Sequence, residues 1–431
     1  MRLVVQKFGA SSLGDAAGMT LLAERVLEAR QRGDASMVVV SAMTSESERL
    51  TRLAQSVSDR PDARELDTLL SAGDQVSAAL AAMALRRRGV DARSVSAAQL
   101  RLETDLQSGA SLIRAVDRLG TRRALARGQV IVATGFQGVD VFGNLVGFGR
   151  GGSDVSAIAL AVALGAAECE MYTDAPGIFT ADPSICPRAR LLPSLGYEEM
   201  MELDHSVARR PHPRAVELAM RHNVPMRVRS VDGNGAGTLI THEKNVLERL
   251  QVRAISHNAD VAKVTVRRVP DKPGIAAQIF VALAREPVGV DLIVQSPSER
   301  GTTDVVFTVS HAEAARAHAV VADVARRIGA GEIELDDEIA KLSIVGAGMR
   351  AQPGAPAIMF EALAHAGINV HVICASDIKI SCLVARADLE RAVRELHESF
   401  GLRQEPATGG ESKRGRRRPR RPRATRHGGR R

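Results

Sequence analysis

Over the first 240 or so positions, short apolar runs alternate with longer stretches whose apolar residues recur every three or four positions. LVVQKFG, from Leu3 to Gly9, sets Leu3, Val4, Val5 and Phe8 in a short run that stops at a Gly/Ser turn. That is the pattern of a strand buried on both faces. A helical pattern follows from about Asp15 to Arg30. MVVVSA, from Met37 to Ala42, clusters β-branched residues and predicts a second strand. A long helical pattern spans Arg64 to Arg87, Gln129 to Ala133 reads as a strand ending at Gly135, Ser153 to Leu164 as an Ala-rich helix, and Glu170 to Thr173 as a strand. Strands alternating with helices predict a mostly parallel sheet covered on both faces. Ligands of such sheets gather at the carboxyl ends of the strands.

The pattern changes after VDGNGAGTLI, a turn-rich stretch from Val231 to Ile240. From about Ala262 the chain contains an internal repeat. KPGIAAQIFVALAREPVGVDLIV, from Lys272, aligns without gaps to QPGAPAIMFEALAHAGINVHVIC, from Gln352, at an offset of 80 residues. The first copy reads as strand Val264–Val266, helix Gly274–Ala284, strands Val290–Val294 and Thr303–Thr308, and helix Ala312–Arg327. One further strand completes a βαββαβ unit, with helices on one face of an antiparallel sheet. Two packed copies can create a ligand-sized interface.

Composition bounds what the chain can do. At 431 residues and roughly 150 per domain, two to four domains fit. With no Trp and 2 Tyr, Ala and Val supply much of the core, and base-stacking nucleic-acid platforms are disfavoured. No apolar run approaches the roughly 20 residues of a membrane span, and MRLVVQKFG lacks the features of a signal peptide. Cys169, Cys186, Cys374 and Cys382 lack metal-ligand spacing. A reduced cytoplasm is the expected compartment. The net charge of +8 is a tail property: residues 413–431 carry 11 Lys/Arg and no acid, and subtracting those 11 leaves −3 for the body. Such a run cannot bury apolar surface and is expected to be a disordered, solvated extension. Nucleic acid and membrane are not expected partners.

Candidate chemistry sits at the strand ends. Lys7 precedes Gly9, Ala10, Ser11 and Ser12, and small residues there let backbone N–H groups approach phosphate oxygens. The string is not a Walker loop, and alone it is equally compatible with a surface Lys. GFGRGGSD (Gly147 to Asp154) surrounds Arg150 with glycines and places Ser153–Asp154 where they could cap the following helix. A guanidinium there can grip a carboxylate with two parallel hydrogen bonds. YTDAPGIFTADPS (Tyr172 to Ser184) puts Thr173 and Asp174 at a strand end, also a good turn. Asp74, beside Gly73 in an amphipathic helix, could bind an ammonium group or act as a helix-start charge.

VVQKFGASS, SAGDQVSAAL, GFQG, GFGRGGSD, YTDAPGIFTADP, HPRAVELA, DKPG and VGAGM occur in the order seen in aspartate kinases. Over residues 2–400 the chain resembles the monofunctional bacterial members of that family. The resemblance implies an α/β catalytic domain, the amino-acid-kinase three-layer αβα sandwich, over residues 1–245. It implies a first ferredoxin-like ACT regulatory domain over 262–335, a second built from 246–261 and 336–400, and a disordered basic tail over 401–431. The activity implied is transfer of the ATP γ-phosphoryl, with Mg²⁺, to the β-carboxylate of L-aspartate, giving 4-phospho-L-aspartate, under feedback by lysine or threonine. A homo-oligomer or an α/β hetero-oligomer is implied as well. By position, Lys7, Phe8, Gly9, Ala10 and Ser41 face the ATP phosphates. Thr173, Asp174, Phe179, Thr180, Ala181, Asp182, Pro183, Ser184 and Arg209 line the nucleotide. Ser47, Asp74, Arg150, Gly151, Gly152 and Ser153 hold the amino-acid substrate, with Lys7, Asp74 and Arg150 carrying catalysis. Asp271, Gly274, Gln295, Gly354, Ala355, Asn369, Val370 and Asp377 match effector positions.

Departures from the family pattern include Ala10 for Gly, Asp74 for Glu, Arg209 for Lys and Ser184 for Arg; Ser47 stands for Thr, the usual Gly before the HPR segment is replaced near Val207, Arg210–Pro211 interrupts its apolar pair, and Pro356 replaces a small polar residue in the regulatory half. The first four bear on catalysis. Ala10 is awkward only if φ is positive, and Asp74 shortens the reach by one methylene. Together they motivate an alternative, a catalytically weakened paralogue acting as an amino-acid-binding regulatory subunit.

Overall fold

The computed structural model describes residues 2–105, 113–149, 151–203, 210–233, 235–242, 252–286, 288–349 and 354–403. Arg150, Arg209 and the basic tail lie outside the described residues.

The chain begins with β1 (Arg2–Phe8), α1 (Ala16–Gln31), β2 (Asp34–Val40), α2 (Thr44–Val57), α3 (Ala63–Arg87) and β3 (Ala92–Val95). It continues through β4 (Glu103–Thr104), β5 (Ile113–Ala115), α4 (Arg118–Ala126), β6 (Val130–Thr134), β7 (Gln137–Val139) and β8 (Leu145–Gly147). Then come α5 (Gly152–Leu164), β9 (Glu168–Thr173), β10 (Ser194–Gly196), α6 (Tyr197–Glu202), α7 (Pro213–Arg221), β11 (Met226–Ser230) and β12 (Thr238–Thr241). Among the described residues, eight of these strands form one sheet in the order β10-β12-β11-β9-β1-β2-β6-β3. Every adjacent pair is parallel except β11 with β12. β2 is buried at all seven positions, and its side chains alternate between two cores. Val38 and Val40 face Leu22 and Val26 of α1 and Ala81 and Leu85 of α3. Met37 and Val39 share the opposite core with Ile158 of α5 and Val216 of α7. Period-two alternation inside a strand buried on both faces is what a three-layer αβα sandwich requires.

α3 starts where Asp62 accepts hydrogen bonds from the N–H groups of Arg64 and Glu65, so Asp74 lies well inside the helix and is not a helix-start charge. By length and composition alone α3 could cross a bilayer, although no unbroken apolar run signals it; Asp67 and Asp74 interrupt the stretch, and the helix packs along β3 and β6. A smaller sheet has the order β5-β4-β7-β8.

The second half contributes β13 (Ala254–Asn258), β14 (Ala262–Pro270), α8 (Ile275–Arg285), β15 (Ile293–Gln295), β16 (Thr302–Val309), α9 (His311–Ile328) and β17 (Ile333–Asp336). β18 (Ile339–Val345), α10 (Gly354–His365), β19 (Val372–Ala375), β20 (Lys379–Ala385) and α11 (Leu389–Ser399) follow. Two antiparallel sheets result, β15-β16-β14-β17 and β13-β18-β20-β19. The first module is thus threaded between β13 and the rest of the second. An apolar cluster of Val261, Leu292, Ile339 and Leu383 joins the two, with an ion pair between Lys341 and Asp291.

Beneath α1, Glu170 of β9, 4% exposed, accepts hydrogen bonds from the Tyr172 hydroxyl at 2.8 Å, Gln6 Nε2 at 3.0 Å and Arg229 Nη1 at 3.0 Å. Glu170→Ala leaves a largely buried guanidinium without its carboxylate and should cost about 3–5 kcal/mol, read as a lowered urea midpoint. Glu170→Gln, which keeps an acceptor oxygen, should cost less.

Candidate active site

Four strands of the main sheet, β1, β2, β6 and β9, end together, and their turns build one cluster. β1 delivers Lys7, whose Nζ lies 2.6 Å from Asp154 Oδ1, with each side chain only about one-eighth exposed. Beyond it the chain cannot rise freely, because the Gly9 N–H donates to the Tyr172 carbonyl at the end of β9 (3.2 Å). Gly9 has φ −74°, and Ala10 opens a short 3₁₀ turn, Ala10–Leu13, with φ outside the left-handed region. The Ala10 departure therefore carries no backbone strain. At the end of β2, Ser41 Oγ meets Ser153 Oγ at 2.8 Å, and the next N–H, of Ala42, donates to Asp74 Oδ1 at 2.9 Å. The Ser41–Ala42 turn is thus the hub between the start of α5 and the middle of α3.

Asp74 is 3% exposed. Burial pushes its carboxyl up to about 8, against the opposing pull of the Ala42 N–H and the Lys7 charge. Such a group, with no cation within hydrogen-bond reach among the described residues, suits an incoming ammonium.

Asp154 was expected to cap α5. Instead the helix opens at Gly151, in the left-handed region at φ +73°, with no side-chain cap. The Asp154 carboxylate points out of the helix to Lys7 and, through Oδ2, to the backbone N–H of His212 at 2.9 Å. Motif reading missed this role, because capping was the simpler use of an acid in a first turn. Phe136 was also missed: it takes φ +64° in the GFQG turn, and a bulky residue held there signals a constrained loop beside a site.

The structure brings Lys7, Phe8, Gly9, Ala10, Ser41, Asp74, Gly151, Gly152 and Ser153 into this cluster. Ser47 lies half-buried in α2, one turn beyond the Ser41–Ala42 hub. Thr173 closes a turn, exchanging hydrogen bonds with Ala175, and Asp174 beside it is exposed. Asp182 holds the Ser184 N–H and hydroxyl at 2.8 and 2.6 Å, and Pro183 is exposed. Thr180 and Ala181 are both fully buried. The Ile255 N–H donates to the Thr180 carbonyl at 2.7 Å, and the Thr180 hydroxyl meets His397 Nε2 of α11 at 2.9 Å. Ala181 joins the core of the second repeat module, and Phe179 packs against it. The reason is the adjoining sheet, which uses this segment as a mounting surface and leaves neither side chain for a nucleotide.

Among the expected effector positions, Asp271, Gly274, Gln295, Gly354, Asn369 and Asp377 are exposed and Val370 is half-buried. Ala355 is buried in its module's core. Gly274 and Gly354 stand at the starts of α8 and α10, 80 residues apart, and Gln295 lies on the edge strand β15.

Among the described residues no group of three or more His, Cys, Asp or Glu could hold a metal ion. The site instead offers one exposed carboxylate, Asp174, at a strand end. That suits a hydrated cation that arrives bound to phosphates, not an all-protein cage.

The amino acid kinase family profile matches residues 2–230 and the ACT domain profile residues 249–324 and 342–400. The aspartate kinase of Pseudomonas putida is 44% identical over 412 residues, 95% of this chain and 100% of that protein. The aspartokinase of Mycobacterium tuberculosis is 42% identical over 407 residues, 93% and 97% of the two chains. Among solved structures, the aspartate kinase from Synechocystis is 38% identical, with TM-score 0.53, covering 95% of this chain and 71% of that one. Aspartokinase III of E. coli, in complex with aspartate and ADP, shares the fold at TM-score 0.76 and 24% identity, covering 92% and 99%.

The buried carboxyl makes stability depend on pH. Between its ordinary value of 3.8 and about 8, folded Asp74 keeps a proton that the unfolded chain has lost. Its contribution therefore falls as pH rises through that window and levels off above it. The melting temperature of the unliganded protein should decline more steeply from pH 5 to 8 than that of Asp74→Asn; parallel curves would mean that Asp74 is ionised throughout.

Proposed function

The chain belongs to the amino acid kinase family as an aspartate kinase, and from that premise we propose that it joins the γ-phosphoryl of ATP to the β-carboxylate of L-aspartate. The product is 4-phospho-L-aspartate, and lysine, threonine or both act as feedback effectors at the ACT modules. The observation that carries the chemical assignment is the Lys7–Asp154 pair at 2.6 Å, set beside a buried carboxyl that prefers neutrality until an ammonium arrives.

The acceptor carboxylate is ionised at neutral pH, so the enzyme needs no general base. Its work is orientation and charge neutralisation. Arg150 grips the aspartate α-carboxylate, Asp74 accepts from the α-ammonium, and Ser47 with Ser153 lies toward the reacting end. Lys7 has three donors, so its ammonium keeps Asp154 while pointing another N–H at a phosphate oxygen. Asp154 fixes the direction in which that cation reaches. Backbone N–H groups of Gly9 and Ala10 and the Ser41 hydroxyl serve the phosphates; Thr173, Asp174, Asp182, Pro183, Ser184 and Arg209 serve the nucleoside side. Mg²⁺ would be held by the nucleotide's own phosphates with Asp174 nearby, and would neutralise their charge.

The edge strands β15 and β19 expose Ile293 and Ile373 at matched repeat positions, each about half accessible. Unpaired edges of this kind favour assembly with further chains. The four cysteines, all free, suit a reducing cytoplasm.

With ATP, Mg²⁺ and hydroxylamine, the purified chain should give hydroxamate from L-aspartate and far less from L-glutamate; absence of product from aspartate would defeat the reading. Asp154→Asn should lower kcat on the order of a hundredfold through a misaimed Lys7, with KM for aspartate little changed. Asp74→Glu should raise the aspartate rate, because it lengthens the reach to the ammonium. No gain would count against the ammonium role of Asp74. The weakened-paralogue alternative predicts no turnover while lysine or threonine raises the melting temperature.

A further inference from the structure

In the GFQG turn, Gly135 to Gly138, the polar side chain is that of Gln137, 1% exposed. The turn is fastened beside the site. The Gly135 N–H donates to the carbonyl of Val40, the residue before Ser41, at 2.9 Å, and the Phe136 carbonyl accepts from the Phe148 N–H at 2.7 Å. From β7, where Gln137 pairs with Gly147 of β8, the amide reaches α3: its Nε2 donates to the Ser71 carbonyl at 3.3 Å. A carbonyl can only accept, so this contact fixes which end of the amide faces the helix. The other end, Oε1, is buried and has no donor among the described residues. A buried amide oxygen in that position has lost its hydration without a replacement. Ser71 stands three positions before Asp74 and so beside it on one face of α3. Asp74 is itself buried, with the Ala42 N–H on one of its oxygens.

We propose that Gln137 is a second ligand of the substrate's α-ammonium: Asp74 accepts from one of its N–H bonds and the amide oxygen of Gln137 from another. An ammonium carries three donors, and in a site closed to water each needs an acceptor. The carboxylate supplies the countercharge. The neutral amide oxygen adds direction without setting a second negative charge beside Asp74. The two acceptors sit on different elements, α3 and β7, which the Gln137–Ser71 hydrogen bond joins. Such a pair selects free α-amino dicarboxylates. A dicarboxylate without nitrogen leaves both acceptors unmet, and an N-acylated one keeps a single N–H and no charge. Rejection of this kind is steep, because the wrong ligand strands buried polar groups. The inference rests on the reading of Asp74 as the ammonium acceptor.

The test compares L-aspartate with succinate, the same dicarboxylate without its ammonium, in the full chain. KM for aspartate and Ki for succinate as its competitor are measured for each variant, with folding checked by melting temperature. Gln137→Met keeps the volume and removes the amide. It should raise KM for aspartate about tenfold or more, while Ki for succinate and KM for ATP stay within about twofold of the parent. Gln137→Glu keeps an acceptor oxygen, so its ratio of succinate Ki to aspartate KM should hold or rise; this variant decides the matter should Gln137→Met fail to fold. A merely structural glutamine would move aspartate and succinate together in Gln137→Met. That result overturns the proposal, as does an unchanged KM for aspartate in Gln137→Met or a lowered ratio in Gln137→Glu. Asp74→Asn separates the two readings. If it leaves the ratio unchanged, the ammonium reading of Asp74 falls and Gln137 falls with it. If it lowers the ratio while Gln137→Met does not, the role of Gln137 alone falls.

Discussion

The structure turns on an ammonium and a carboxylate 2.6 Å apart at the end of the central strand, Lys7 and Asp154. Neither is placed by local sequence. Lys7 is carried there by β1, which is gripped on both sides by parallel neighbours, and Asp154 by a helix that is buried on nearly every face. A charge pair so little exposed is costly to desolvate and is held only where further hydrogen bonds satisfy its atoms. Here the His212 N–H supplies one of them. The arrangement is therefore preorganised: the cation points in a fixed direction before any phosphate arrives.

Much of this was legible in the sequence, for reasons that can be named. The parallel sheet followed from β1 and β2, whose apolar runs are too continuous for a half-exposed strand, and the repeat followed from an ungapped 80-residue offset. Asp74 was visible as an acid in an otherwise apolar helical stretch. The unread parts all depend on long-range packing. Whether Asp154 caps its helix or leaves it for Lys7 depends on His212, 58 positions away. Ala10 could be judged only once its φ was known. Thr180 and Ala181 sit inside a motif that reads as nucleotide-facing, yet a strand from the other half of the chain buries them.

That last contact also describes how the two halves meet. The second ACT module grips the segment after β9 through an apolar core containing Ala181, Cys186 and Ala189 and the Thr180–His397 hydrogen bond. It holds α6 as well: one oxygen of Glu199 accepts from Gly196 within the catalytic part and the other from Ala347 of the regulatory part. A shared core of this kind transmits displacement as a rigid joint does, since packed interiors have discrete arrangements and little give. In the proposed feedback, an effector at the modules would act on the catalytic sheet through this joint.

The most direct measurement is a crystal structure of the chain with a non-hydrolysable ATP analogue, Mg²⁺ and L-aspartate. The account places the γ-phosphate within hydrogen-bond distance of Lys7 Nζ while Asp154 remains on the same ammonium, and the α-ammonium of aspartate on Asp74. A nucleotide bound away from the carboxyl end of β1, or aspartate bound with its α-ammonium out of reach of Asp74, would contradict it.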